Sequence, residues 1–260
     1  MFGGIIMHMS SIQIFICFAA EDRYTIAEPL VYHLKNYGIP VWYDRHSLVM
    51  GDNRQEKNLD EGAAKCIYAI AVLSENTNES PCAMEELSIL ENRYRCGNIT
   101  VFPILYDISP NKIPNKLNWV KELIFKEVNK NSGTRELCNH IACKITSDLL
   151  STGKYKNICE IISSNILSDS TQAIFKSYIC VDYANLNSRV ALLYAAYLTI
   201  THSKIIVSNP IINMINMIFN RLFTETRLNL LIDYREIWLL ENAICVLVNS
   251  YFDSSTDSKI

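Results

Sequence analysis

Four short runs of almost unbroken apolar residues, each followed by a helical pattern, constrain the first half of this chain more than any other feature. IQIFICF (12–18) is β-branched and aromatic, and so apolar that it reads as a strand buried on both faces. IPVWYD (39–44), CIYAIAVLS (66–74) and ITVFPILYD (99–107) follow in the same style. After the first run, Asp22 stands where a helix cap belongs. Ile26, Leu30, Leu34 and Tyr37 then share one helical stripe, and Gly38 closes it. Further helical patterns occupy 54–64, 80–95 and 134–150. Strand, helix, strand, helix with buried strands predicts a parallel sheet with crossover helices, an open α/β domain. Ligands bind such sheets beyond the carboxyl ends of the strands, which directs attention to the loops after Phe18, Asp44 and Ser74.

From about residue 155 the alternation stops. Asn209-Pro210 opens a helix with Ile211, Ile215, Ile218 and Leu222 on one stripe, and Ile237, Leu240, Ile244, Leu247 and Tyr251 form another. The expected organisation is an α/β domain over 1–150 and an all-helical domain over 151–260 that senses a trigger or drives assembly. The boundary is read near STGKY (151–155), and the polar tail DSSTDSKI is expected to fray. The formal net charge of −3 over 260 residues gives no general attraction to nucleic acid or an anionic membrane. The nine cysteines are odd in number and contain no CxxC pair, so buried, reduced thiols in a cytoplasmic protein are expected. The apolar opening MFGGIIMHMSSIQIFICFAA resembles a signal peptide but has no basic residue before Arg23, and a leader is not expected. The most apolar later run, VALLYAAYLTITHSKIIV, is broken by His202 and Lys204, so no membrane span is expected.

Candidate chemistry begins at two adjacent glutamates in LSENTNESPCAMEELSIL (73–90). With Ser80 as cap and Pro81 in the first turn, the apolar stripe of this helix is Ala83, Leu87, Leu90 and Tyr94. At about 100° per residue, Glu85 points roughly 170° from that stripe and Glu86 roughly 70°, on the shoulder facing the sheet edge. Glu86 is therefore the better candidate, while both could equally be solvated helix charges.

Residues 12–107 resemble a TIR (Toll/interleukin-1 receptor) domain of the bacterial kind. IFICFAAEDR is similar to the opening F-I-S-Y-S-x-x-D, with Cys17, Phe18 and Ala19 in place of S-Y-S. LKNYGIPVWYDRHSLVMGDN is similar to L-x-x-x-G-x-x-V-W-x-D-x-x-x-L-x-x-G-D, which ends in the BB loop, and VLSENTNESPCAMEEL to L-S-x-N-Y-x-x-S-x-W-C-x-x-E-L. The resemblance implies a flavodoxin-like fold with a five-stranded parallel sheet, and cleavage of NAD at the nicotinamide–ribose bond, with hydrolysis or cyclisation of the ADP-ribose.

It also implies that the glutamate of the x-E-L motif is catalytic. Anchoring on Ser80-Pro81 and Leu87 places it at Glu86; anchoring on Cys82 as the motif cysteine would place it at Glu85. Phe18, Ala19, Trp42, Asp44, Leu48, Gly51, Ser80 and Cys82 are the implied substrate-binding positions. Trp42 could stack on a base or pack between helix and sheet, Asp44 could only cap its loop, and Arg23 could meet a phosphate or sit exposed at a helix start. Cys82 stands where the usual aromatic would be and Ala83 at the usual cysteine, so this helix start is expected to pack differently. NAD would be the substrate and no cofactor is implied. The implied partners are further copies of the chain, meeting through both domains, and an unidentified trigger, in a setting of antiphage defence.

Other signals are set aside. Cys138, His140 and Cys143 lie close together, but Cys138 and His140 face different directions on a helix and no second ligand cluster exists, so no metal is expected. Neither GxGxxG nor a P-loop occurs. The competing reading is a non-catalytic TIR adaptor, against which Glu86 itself argues. A phosphoacceptor domain would use Glu21-Asp22 but lacks a matching lysine after ILYD.

Overall fold

The computed structural model describes residues 12–164, 166–202, 209–227 and 232–256, with the side chains of 222–227 and 252–256 outside the description. The chain divides into two compact units. One runs to Lys35 and from Ile39 to Cys138; the other holds Asn36–Gly38 and everything from Asn139 onward.

The first unit is built on five parallel strands: β1 (Ile14–Cys17), β2 (Val41–Trp42), β3 (Tyr68–Leu73), β4 (Thr100–Tyr106) and β5 (Lys126–Val128). Their order is β2-β1-β3-β4-β5, the flavodoxin-like arrangement. The central strands β1, β3 and β4 lie in three of the four apolar runs, because only strongly apolar strands can be covered on both faces, and the fourth run holds the edge strand β2. β5 is polar and only partly covered at one edge, and no apolar run marks it. β2 shrinks to two residues at the other edge, which leaves little free backbone to recruit another strand.

Strand alternation sends Phe15 and Cys17 to one face, where they join Ala69, Ala71 and Leu73 in one apolar core. The helices of this unit are α1 (Glu28–Asn36), the one-turn α2 (Asp44–Ser47) and α3 (Pro81–Arg95). α3 covers the Cys17 face with Ala83, Leu87 and Leu90, all fully buried. The small side chains of Ala69 and Ala71 suit a close approach of α3. Cys17 Sγ reaches the Ala83 carbonyl at 3.5 Å.

Two segments expected as regular helix are wound more loosely. Arg23–Ala27 and Gln55–Ala63 are π-helical, and Ala64 N–H bonds the Leu59 carbonyl five residues back at 2.8 Å. Within the second segment the adjacent pair Asn58 and Leu59 and the adjacent pair Gly62 and Ala63 are all buried. Nor does Asp22 cap the first helix: it has no capping hydrogen bond. Its buried carboxylate instead accepts from Ser74 Oγ and from Asn76 Nδ2 (2.8 Å), tying the β1 and β3 loops together.

The second unit is helical: α4 (Arg135–Gly153, whose first turn belongs to the first unit), α5 (Ile158–Ser163), α6 (Asp169–Cys180), α7 (Leu186–His202), α8 (Pro210–Arg227) and α9 (Tyr234–Thr256). Ile211, Ile215 and Ile218 are buried, as are all five stripe residues of α9, while the side chain of Leu222 lies outside the described residues. So do residues 257–260 of the tail and 1–11 of the leader-like opening, while α9 runs on to Thr256 and β1 lies within that opening. Among the described residues no helix is long and apolar enough to cross a membrane. All nine cysteines are thiols outside any disulfide, but Cys82, Cys96, Cys159 and Cys180 are exposed, which corrects the expectation of buried thiols: these four sit on the polar side or at the end of their helices.

The packing around Gly62 yields a stability test. A Cβ there would lie 2.6 Å from Trp42 Nε1 and 3.0 Å from the Phe15 ring. Gly62→Ala is expected to destabilise the chain by about 1–3 kcal/mol, read as a lower denaturation midpoint, whereas Gly133→Ala, with open space around it, should not.

Candidate functional site

The helix that carries the two glutamates starts where Ser80 and Pro81 require. Ser80 Oγ accepts from Ala83 N–H at 3.3 Å, and Pro81 occupies the first turn. That start sets the register of α3. Glu86 is turned inward and only 7% exposed, whereas the Glu85 side chain is 47% exposed and pairs with Arg54 at 2.7 Å. The helix-wheel reading of the two directions agrees with this placement.

Glu86 lies against Cys17, at the carboxyl end of β1, beside β3. This is the switch point of the sheet, where connections leave β1 and β3 in opposite directions. Asn58 Nδ2 donates to Glu86 Oε1 at 2.6 Å, and Trp42 Nε1 donates to Asn58 Oδ1 at 3.4 Å. The carboxylate thus ends a short chain of donors that starts at an indole.

Burial pushes the Glu86 carboxyl up from its ordinary value near 4.5 to about 7. The hydrogen bonds from Cys17 and Asn58 and the charge of Arg54 pull it back down, and the negative charge of Asp44 adds to the rise. The Cys17 thiol is held well above its usual range, first by burial and then by the neighbouring Glu86, so it remains a neutral donor. A carboxyl group that titrates near neutrality in a mostly dry setting is a common mark of a functional group.

A second cluster gathers Phe18 and Asp44. Arg23 makes a two-pronged contact to Asp44, both bonds 2.7 Å, donates to Tyr43 Oη at 3.1 Å, and lies over the Phe18 ring at 5.1 Å. Arg23 is thus a partly buried ion-pair partner and not the exposed helix-start residue it could have been. Asp44, the first residue of α2, also accepts from the neighbouring Arg45 N–H, and α2 has no side-chain cap. Ala19 is buried; Leu48 is half-buried and Gly51 exposed, in the loop after α2. Gly51 has φ +102°, where a side chain would be strained. Cys82 is exposed one turn before Glu86, and Ser80 is occupied as the helix cap. Glu86, Trp42 and, through its field, Asp44 are therefore brought together; Ser80 and Cys82 stand at the start of α3, and Leu48 and Gly51 in the loop after α2.

Asn58, Arg54 and Cys17 complete the arrangement and were not legible as site residues. Nothing in KNLDEG marks Asn58, since its inward aim depends on the π-helical winding. Arg54 Nη1 holds Glu85, while its Nη2 is buried with no protein partner. Among the described residues no group of three His, Cys, Asp or Glu could hold a metal. Cys138 and Cys143 instead contact the backbone carbonyls of Leu30 and Arg235.

Residues 14–138 match the family described as TIR domain. Over 100 residues the chain is 35% identical to NAD(+) hydrolase TcpC of Escherichia coli, a match covering 38% of this chain and 32% of that protein. It is 32% identical over 101 residues to NAD(+) hydrolase TcpA of a Theionarchaea archaeon (39% and 30% covered). It is also 32% identical over 101 residues to 2' cyclic ADP-D-ribose synthase AbTIR of Acinetobacter baumannii (39% and 37% covered). The chain spans about a third of the length of these relatives.

The raised carboxyl group makes stability depend on pH with a definite sign. A folded-state value of about 7 against an ordinary 4.5 means that the fold holds its proton more tightly. Stability is then fully present below about 4.5 and is lost as pH rises through about 7. Glu86→Gln is expected to remove this loss, gaining up to about 3 kcal/mol over wild type at pH 8 and little at pH 4. Asn58→Ala removes a donor to the ionised form, so about tenfold tighter proton binding is expected. Its stability should keep falling to higher pH than in wild type. Denaturant melts across that range check both.

Proposed function

We propose that the TIR domain at residues 14–138 cleaves NAD at the nicotinamide–ribose bond, with Glu86 as its catalytic carboxylate. The observation that carries this reading is the burial of Glu86 at the switch point, held by Asn58 and tuned toward neutrality. The activities for which the similar proteins are named support it.

The chemistry suits one carboxylate. When the glycosidic C–N bond breaks, its electron pair passes to the pyridinium nitrogen and nicotinamide leaves neutral, so no acid is needed to protonate it. Positive charge builds on the ribose, and a fixed anion beside it stabilises the oxocarbenium-like state more than the ground state. Attack of water at C1′, with its proton lost to solvent, gives ADP-ribose. Attack by a nucleophile of the same molecule gives a cyclic product.

Assembly is part of the proposal. In the loop after α2, Val49 is 74% exposed and Met50 fully exposed, an apolar tip that a second copy of the chain would cover. The helical unit would then gather or restrain the copies in response to a trigger. The proposed setting is antiphage defence in the cytoplasm.

The test is nicotinamide release from NAD by the full chain. Glu86→Gln is expected to lower the rate about 100-fold or more, and Glu85→Gln to leave it within a few-fold. Persistent release by the Glu86 variant would remove the assignment, and no release from wild type at any protein concentration would favour the adaptor reading. Because the anion is the working form, kcat/KM should rise with pH through about 7. The rise in kcat should sit at lower pH, since the bound pyridinium favours the ionised carboxylate. Met50→Asp should lower release at a fixed protein concentration, with recovery as concentration increases.

A further inference from the structure

The candidate site holds one relay whose direction is fixed by hydrogen-bond chemistry. Trp42 Nε1 stands 3.4 Å from Asn58 Oδ1, and Asn58 Nδ2 stands 2.6 Å from Glu86 Oε1. Among the described residues the Asn58 side chain has no other hydrogen bond. Asn58 is 5% exposed and Glu86 7%, so water has little access to either end of the amide. The indole is seated by Gly62, where a Cβ would lie 2.6 Å from Nε1.

A primary amide is two-faced. Its oxygen only accepts and its nitrogen only donates, and turning the group by half a revolution exchanges them with almost no change of shape. An indole N–H only donates, so it holds the amide oxygen toward itself. The nitrogen is then left facing Glu86. Toward an ionised carboxylate that is a matched contact. Toward the protonated acid it is poorer, because the acid O–H needs an acceptor and the amide oxygen is engaged elsewhere. An amide free to turn would accept from the acid, and the neutral form would gain a partner that now serves the anion.

The other groups that act on Glu86 stand outside this relay. Arg54 acts by its charge from the π-helical segment, Asp44 by its charge from α2, and Cys17 by its thiol from β1. Glu85, the neighbour on α3, is turned outward to Arg54. Replacing the indole by a ring without an N–H leaves each of these side chains in place and removes the restraint on the amide.

We propose that Trp42 is a positioning residue of this site: its N–H locks the Asn58 amide in the one orientation that donates to Glu86, and so favours the ionised carboxylate through Asn58. The inference deepens the proposed function and rests on Glu86 as its working group.

The experiment follows the Glu86 carboxyl directly, in the full chain and without substrate. Carbon NMR of protein labelled at the glutamate carboxyl carbons is recorded against pH, the Glu86 signal being the one absent from Glu86→Gln. Trp42→Phe is expected to tighten proton binding about three- to tenfold, an upward shift of about half to one pH unit. Asn58→Leu should give a similar rise, and adding Trp42→Phe to it should give no further one. Where Trp42→Phe does not fold, benzothienylalanine at position 42, which keeps the double ring and lacks the N–H, carries the same test. Two results would overturn the proposal: a midpoint unchanged by loss of the N–H, or a rise of equal size in the Asn58→Leu background, where the indole would be acting without the amide. The kcat/KM profile for nicotinamide release should move with the titration, so that the activity lost in Trp42→Phe recovers toward high pH. A carboxyl midpoint that rises while the kcat/KM profile stays in place supports the lock and removes Glu86 as the catalytic group, so the two readings fail separately.

Discussion

The hydrogen bond from the Asn58 amide to the Glu86 carboxylate is the contact on which the first unit's chemistry rests. Taking a carboxylate out of water favours the neutral acid, and left alone this burial would hold the group protonated. Donors to the ionised form act in the opposite direction: Asn58 and Cys17 by hydrogen bonds, Arg54 by its charge. The balance falls near neutrality, where a modest change in surroundings moves the group between acid and anion. A positive charge brought beside it is such a change. A site poised in this way is less stable than a well-packed apolar one, a familiar cost of function.

That balance is built from parts of the chain far apart in sequence. β1 supplies Cys17, β2 supplies Trp42, the π-helical segment supplies Asn58, and α3 supplies Glu86 itself. Trp42 is an instructive case. Its ring lies against Gly62 and its N–H is directed at Asn58, so it works as packing and as the far end of the donor chain. The Arg23–Asp44 pair joins Phe18 to the start of α2, and the Asp44 carboxylate adds to the rise of Glu86.

Both units show buried charge kept tolerable by pairing, with different remainders. In the first, the Glu86 carboxyl stays under-compensated and is held near neutrality. In the second, Arg189 and Glu241 cancel each other, and Tyr178 bonds to both. Leftover polarity, more than total polarity, distinguishes a site that can do work from a network that only holds helices together.

Much of the fold was legible in the sequence because burial has a one-dimensional signature. The strands β1, β3 and β4 lie inside apolar runs, α3 begins at Ser80-Pro81, and the stripe of α9 is the one its spacing predicts. Even the opposite directions of Glu85 and Glu86 follow from counting 100° per residue from a reliable cap. The polar edge strand β5, the loose winding of 55–63 and the roles of Asp22, Arg23 and Asn58 were not legible, and they share a reason. Periodicity records which face of an element avoids water, and it carries no information about which polar group from another element will meet a buried one. Asn58 and Glu86 are 28 positions apart, and Cys17 and Glu86 are 69. The sequence by itself determined that a carboxylate would sit at the border of a buried face. Only tertiary packing decided what would hold it there, and therefore at what pH it carries its charge.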